Sequence, residues 1–286
     1  MITSAASEGL VLGIDVGYSP DRPTTCFCTL AWDKHGAQFR FRLTTSSPSQ
    51  RQAALEALVH GRRVASVAID GPLVHGLRHV NHYRAAEAIL SRGVMQHRGK
   101  PGPTNGPVGQ ELHAHASVLA RLVINTAQVD PATHRDPLVP ERVVEAFPNI
   151  YLGALVDEGD LPKLDRDASD AFWRCLVTES SKLAGHMETL LPGRRLNITP
   201  AAITDHDERA GVVCALTALS VALNRHVAVG DPQNGDIMLP AAAEWGTSRT
   251  APGPWLEPVL QANVASVRLG SPTFAAVPDA RVVGMQ

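Results

Sequence analysis

Surplus positive charge is absent from this chain: 26 lysines and arginines stand against 28 aspartates and glutamates, a formal net charge of −2. A surface that is basic all over is thereby excluded, and any nucleic-acid binding must use a local patch. Long apolar runs are also missing. The longest, Gly211 to Leu223, is too short to span a bilayer, so no membrane partner is expected. Cysteine is scarce, and Cys26, Cys28, Cys175 and Cys214 lack the paired spacing of a metal finger. A reducing compartment is the simplest setting for them. Met1 to Glu8 has no basic start and the first apolar run contains an aspartate, so no secretory signal is expected. These absences point to a soluble cytoplasmic protein. Its 286 residues, 44% of them hydrophobic, suffice for one large domain or two small ones.

What is present is organised around Leu10-Val-Leu-Gly-Ile-Asp-Val-Gly-Tyr18. This apolar run, closed by Ser19-Pro20-Asp21, reads as a strand buried on both faces. An ionised Asp15 inside it is costly unless a cation or strong donors meet it. The compensating group is either a local donor, such as the Ser19 hydroxyl or a loop N–H, or a metal ion.

Thr25 to Trp32 and Gln38 to Thr44 read as two further strands joined by the turn Asp33-Lys-His-Gly36, which gives an antiparallel meander. Ser49 to Val59 has helical spacing with an early serine cap, and Val64 to Asp70 is a fourth strand, so a parallel crossover is implied. Tyr83 to Arg92 reads as helix, Gly93 to Gly109 as a loop rich in Gly and Pro, and Gln110 to Ala127 as a long helix. A fifth strand, Arg142 to Phe147, is stopped by Pro148. Helices are expected at 150–156, 168–191 and 205–224, the last very apolar and largely buried, with short edge strands at 227–230 and 237–239. The expected architecture is an α/β fold, a mixed five-stranded sheet flanked by helices over residues 1–240. A C-terminal extension, 241–286, follows, ordered in part around Trp255 to Val267.

Acids fall at telling places in this plan. Asp15 lies in the first strand, Asp70 ends the fourth, Glu145 sits in the fifth, and Asp205 and Asp207 open the buried helix. Parallel strands bring their C-terminal ends to one edge, where ligands bind in α/β folds. Converging carboxylates repel, and burial raises their pKa values unless divalent cations neutralise them. Oxygen-only ligands favour Mg²⁺ or Mn²⁺. Two such ions about 4 Å apart can activate a water and stabilise the leaving oxygen of a phosphodiester. Asp15, Asp70, Glu145 and Asp207 are thus candidate catalytic residues and metal ligands. Each has a plainer alternative. Asp70 before Gly71-Pro72 shapes a turn, and Glu145 pairs with a nearby arginine. Asp205 is a helix N-cap with Glu208 three residues on, and Asp207 meets the helix dipole. His206 beside them either assists proton transfer or packs and caps.

The order of a strand with Asp15, two more strands, a helix, a strand ending in Asp70 and a late acid-bearing helix resembles the ribonuclease H-like fold. More closely, the chain resembles a domain-of-unknown-function family whose members are described as predicted nucleases of that fold. The matching pieces are Gly13-Ile-Asp-Val-Gly17, Ala68-Ile-Asp-Gly-Pro-Leu73, Arg84-Ala-Ala-Glu87, Val144-Glu-Ala-Phe-Pro148, His206-Asp-Glu-Arg209 leading into Cys214 to Ala218, and Gly230-Asp-Pro with Gly235-Asp-Ile. The resemblance covers residues 10–240 and implies metal-dependent cleavage of a nucleic-acid backbone, with Asp15, Asp70 and Glu145 as ligands. The family usually places an Asp directly before the apolar helix body, where this chain has Ala210; Asp207 lies one helical turn earlier.

Between positions 78 and 100, Arg78, Arg84, Arg92, Arg98 and Lys100 stand against the single acid Glu87. Arg84, Arg98 and Lys100, with the loop Gly99 to Asn105, are candidates for holding the phosphates of DNA or RNA. The alternative is a solvated face with Arg84 paired to Glu87. Aromatics for stacking single strands are lacking, Tyr83 being the only one nearby. His75, His79 and His82 lie among glycines and a proline with no fourth ligand, which favours surface histidines over a zinc site. Three functions stay open: a Mg²⁺- or Mn²⁺-dependent nuclease, an actin-like phosphotransferase or ATPase, and a non-catalytic nucleic-acid or ligand-binding module with a degraded site. The second shares the strand-Asp-x-Gly pattern but needs a second similar half.

Overall fold

A computed structural model of the protein describes residues 7–74, 83–97, 99–135, 137–162, 168–267 and 273–276. The N-terminal meander forms as its sequence pattern requires, with β1 (Gly9–Asp15), β2 (Thr25–Trp32) and β3 (Gly36–Thr44) as antiparallel neighbours. The turn between β2 and β3 is closed by Asp33, whose Oδ1 accepts from the N–H groups of His35 at 2.7 Å and Gly36 at 2.9 Å. Helix α1 (Pro48–Val59) crosses over, and the chain returns through β4 (Arg63–Val64) and β5 (Ser66–Asp70), with β5 parallel to β1. The single strand expected at 64–70 is interrupted at Ala65, whose N–H donates to the Leu10 carbonyl at 2.8 Å.

After α2 (Ala85–Leu90) and α3 (Pro107–Thr126), β6 (Gln128–Val129) pairs with β4 in a separate ribbon, and β7 (Val143–Ala146) lies parallel to β5. Helix α4 (Pro148–Leu155) follows. The helix expected at 168–191 is divided into α5 (Ala168–Arg174), a π-helical turn over Cys175–Glu179 and α6 (Lys182–Leu190). The division falls at Ser181, which takes a left-handed φ of +54°. The remaining elements are β8 (Arg195–Leu196), α7 (His206–Ala222), β9 (His226–Asp231), β10 (Gly235–Pro240), α8 (Leu256–Ser266) and β11 (Thr273–Ala276).

Among the described residues the main sheet has nine strands, ordered β11-β9-β10-β7-β5-β1-β2-β3-β8. The expected five-stranded sheet is therefore only its centre. β9 is not an edge strand, because β11 pairs with it, and β8 is too short to show any alternation. The fold is mixed α/β, with helices flanking the sheet.

Register sorts the central side chains onto two faces. Val11, Ala68, Val144 and Ala146 pack with Cys26, Cys28 and the body of α7. Leu12, Ile14, Val67, Ile69 and Val143 pack on the other side against α1 and α3. Helix α7 is buried from Ala210 to Val221 because β1 offers it no side chain at Gly13. A Cβ there would overlap the Ala215 nitrogen and the Gly211 carbonyl oxygen, and a Cβ on Gly211 would overlap the Cys26 sulfur. Backbone lies almost directly on backbone.

Residues 241–267 of the expected extension are fastened to this core. Trp245, Trp255, Leu256 and Leu260 join Val227, Val229, Ile237 and Leu239 in a third apolar cluster. A polar chain reinforces the contact: Glu244 pairs with His186 Nδ1 and, at 3.1 Å, with Arg225. His186 Nε2 lies 2.7 Å from the Tyr151 hydroxyl, which lies 2.9 Å from Ser220 Oγ. The four cysteines are buried and free. Among the described residues no helix is long and apolar enough to cross a membrane.

The seating of α7 can be tested directly. Gly13→Val should lower unfolding stability by about 3 kcal/mol, at or above the usual range for overpacking a core, as measured by urea denaturation. Unchanged stability would show that α7 does not rest on β1 in this way.

Candidate active site

Asp15 and Asp70 end β1 and β5 as direct register partners on adjacent parallel strands. They share the face of Gly13 and Ala68, beneath the start of α7, and both keep part of their side chains open to solvent. Their carboxyls lie within proton-sharing reach. Removal from water, followed by the charges of Asp70, Asp207 and Asp205, holds Asp15 well above the ordinary carboxylate range. Asp70 is pushed up to about 7, first by desolvation and then by Glu145, with the bond from Asp15 easing it. Burial and mutual repulsion thus favour the protonated form in this pair. The Ser19 hydroxyl accepts from the Arg22 N–H at 3.0 Å.

Helix α7 supplies further acid. Asp205 is its N-cap, accepting from the Glu208 N–H at 3.0 Å as the sequence pattern indicated. Asp207 stands in the first turn, and burial together with Asp205 raises its pKa. Ala210 is 8% exposed and packed inward.

Glu145 is elsewhere. In β7 it is the partner of Ile69, whereas Ala146 is the partner of Asp70. Alternation thus turns Glu145 to the α3 side of the sheet, across from the aspartate pair. There it meets Arg84, which is 0% exposed. Arg84 Nη1 donates to Glu145 Oε2 at 3.0 Å and Nη2 donates to Oε1, a two-pronged pair. Arg84 Nε donates to Glu87 Oε1 at 2.8 Å, and Nη1 reaches the Asn234 carbonyl at 3.3 Å. Thr104 donates from both N–H and hydroxyl to Glu87. Burial opposes the charge on Arg84, but Glu145 and Glu87 outweigh it and raise its pKa. Burial still pushes Glu145 upward, with Arg84 offsetting part of the rise. The partners respond unequally, yet the two-pronged geometry is that of a charged pair. Arg84 is enclosed by acids and does not face solvent as a phosphate-binding group would, so the expectation of a phosphate contact is corrected.

Lys100 is exposed. Arg98, like Arg78, His75, His79 and His82, lies outside the described residues. His206 is 55% exposed and its Nδ1 lies 3.3 Å from Asp170, which Arg209 also bonds at 3.0 Å. It is turned to Asp170 and does not bond the aspartate pair. One residue escaped the sequence reading. Arg51 of α1, 2% exposed, donates from Nη2 to the Gly17 carbonyl at 2.7 Å and to Thr25 Oγ1 at 3.0 Å. It ties down the loop that follows Asp15.

Among the described residues no group of three or more His, Cys, Asp or Glu side chains is placed to hold a metal ion as it stands. The chemistry of the aspartate pair nonetheless fits a hard cation: its donors are all oxygen, and its mutual repulsion is offset by a proton that a divalent ion can replace. Beside Asp70 opens a cavity of about 330 Å³, bounded by Arg84, Glu145, residues 101–104 and 106–109, Leu112 and Phe147.

Two outcomes follow from these contacts. Arg84→Ala should cost about 3–5 kcal/mol of stability by stranding buried carboxylates, read by denaturant unfolding; a surface arginine would cost almost nothing. Between about pH 4, where unfolded carboxylates titrate, and about 7, the folded protein holds more protons than the unfolded one. The stability owed to the shared proton is present below that window and lost as pH rises through it. In chelator, Tm should fall across the window, and Asp70→Asn should flatten the fall and raise Tm above pH 7 by a few degrees.

Comparison of the chain with protein-family models, with curated proteins and with solved structures finds no match, so the site is interpreted from its own residues.

Proposed function

We propose that this protein is a nuclease that hydrolyses phosphodiester bonds of DNA or RNA with Mg²⁺ or Mn²⁺ held by Asp15 and Asp70. The observation that carries the reading is the register pairing of these two acids, which places a proton-sharing carboxyl pair at the C-terminal edge of adjacent parallel strands. Asp207, brought over them by α7, is the third ligand candidate. The meander β1 to β3, the crossover through α1, the parallel strands β5 and β7 and the late acid-bearing helix on the aspartate face support a ribonuclease H-like interpretation of the fold.

A divalent cation supplies, when bound, activation of an attacking water and neutralisation of phosphate charge. The chain's own groups set up that chemistry. Asp15 and Asp70 would hold the ion through their carboxylate oxygens. Arg51 keeps the Gly17 loop, and with it the end of β1, in one conformation. Glu145 has no direct share, because Arg84 neutralises it across the sheet.

A second reading, a binding module that does not cut, is favoured by Ala210 and by the lack of a formed three-acid group among the described residues. Incubation with labelled single- and double-stranded substrates in Mn²⁺ separates the two. Cleavage should stop with chelator and fall at least about 100-fold in Asp15→Asn and in Asp70→Asn, the scale of losing a charge-stabilising group. Undiminished cleavage by Asp15→Asn would overturn the nuclease reading. Retained nucleic-acid binding with neither cleavage nor Mn²⁺ binding by calorimetry would establish the module.

A further inference from the structure

The cavity beside Asp70 has a composition that suggests what enters it. Among the described residues its walls are largely apolar, from Pro72, Pro103, Val108, Leu112, Phe147 and Ile237, and its polar side chains are Asp70, Arg84, Glu87, Thr104 and Glu145. All of these but Asp70 are engaged with one another. Glu145 accepts from Arg84 and from the Leu73 N–H at 3.2 Å, while Glu87 accepts from the Arg84 N–H at 3.0 Å and from Thr104. Buried groups so occupied have little left for reading the edges of a ligand, so the cavity selects by shape and apolar contact.

At about 330 Å³ it lies at the small end of ligand-pocket sizes. One ring system with its sugar can be accommodated; a stacked base pair cannot. A phosphate is repelled by the acids unless a cation intervenes, so it belongs on the Asp15 side of Asp70, with the rest of the nucleotide directed inward.

We propose that this cavity receives one unpaired nucleotide of the substrate, base inward and without base preference, so that the adjoining phosphate comes to rest by Asp70 and Asp15. This rests on the nuclease reading and names its substrate class: single strands and extrahelical nucleotides. A paired base must leave its stack before it can enter, which costs a few kcal/mol in continuous duplex and least where the base is already unpaired. Among the described residues the single aromatic ring in the lining, Phe147, suits one seated base and not a run of stacked ones.

The test uses the full chain with Mn²⁺ and two probes. Calorimetry with nucleoside monophosphates should show binding of all four bases within a factor of about three, since the described polar side chains of the lining other than Asp70 are engaged with one another. Val108 is 66% exposed at the rim, so Val108→Trp should fold, with an unchanged circular dichroism spectrum, and weaken AMP about tenfold by narrowing the entrance. A duplex with one bulged nucleotide should be cut about tenfold faster than its fully paired counterpart. If the unaltered protein binds none of the monophosphates, the proposal falls whatever cleavage shows. Equal cutting of bulged and paired duplex, unmoved by Val108→Trp, also overturns it and leaves the nuclease reading standing. Binding weakened by Val108→Trp, with no substrate cut, upholds the cavity assignment and removes the nuclease.

Discussion

At Gly13 a hydrogen takes the place of a side chain, and α7 lies directly on β1 as a result. The same alternation that clears the strand at position 13 directs Asp15, two residues on, to the same face. The helix that rests on the glycine therefore has its first turn over the carboxylate, and Asp205 and Asp207 come within electrostatic reach of Asp15. The unbonded N–H groups of the first turn favour acids at this spot, which lets several carboxylates gather with less repulsion than they would otherwise meet. Packing and site chemistry are thus one constraint.

Two buried acid groupings lie within a few residues of each other and are stabilised by opposite means. Glu145 and Glu87 are both paired with one fixed cation, Arg84, and tied by it to Thr104 and to the backbone at Asn234. Such a pair adds little net stability over an apolar replacement, but breaking it is costly. Its effect here is to join four distant parts of the chain into a stiff wall. Asp15 and Asp70 bond no arginine among the described residues, and burial with their mutual repulsion favours the protonated form. Separation of a rigid ion pair from an exchangeable one lets the sheet edge stay in place while only the aspartates change charge.

Local signals were legible in the sequence wherever local contacts decide the outcome. The ends of β2, the Asp33 turn and the Asp205 cap with Glu208 all depend on neighbours within a few residues. The face of Glu145 depends instead on how β7 slides against β5, and a shift of one residue would have turned it to the aspartates. Arg84 reads as a surface cation until its partner 61 residues away is known. Arg51 stands in a polar first helical turn, and its acceptor at Gly17 is a carbonyl with no side-chain signature.

Ala146 carries this reasoning one step further. It is the β7 partner of Asp70, faces α7 and is 1% exposed. An acid there would complete a row of three across β1, β5 and β7, its spacing set by sheet hydrogen bonds. With alanine in that place, the third carboxylate of the proposed site is the one on α7, and its distance from the pair is set by how deeply the helix settles on Gly13. Strand pairing fixes two acids to each other; core packing alone fixes the third to them. A substitution that lifts α7 would consequently disassemble the site without touching a single carboxylate, so the apolar core beneath the helix belongs to the chemistry as much as the acids do.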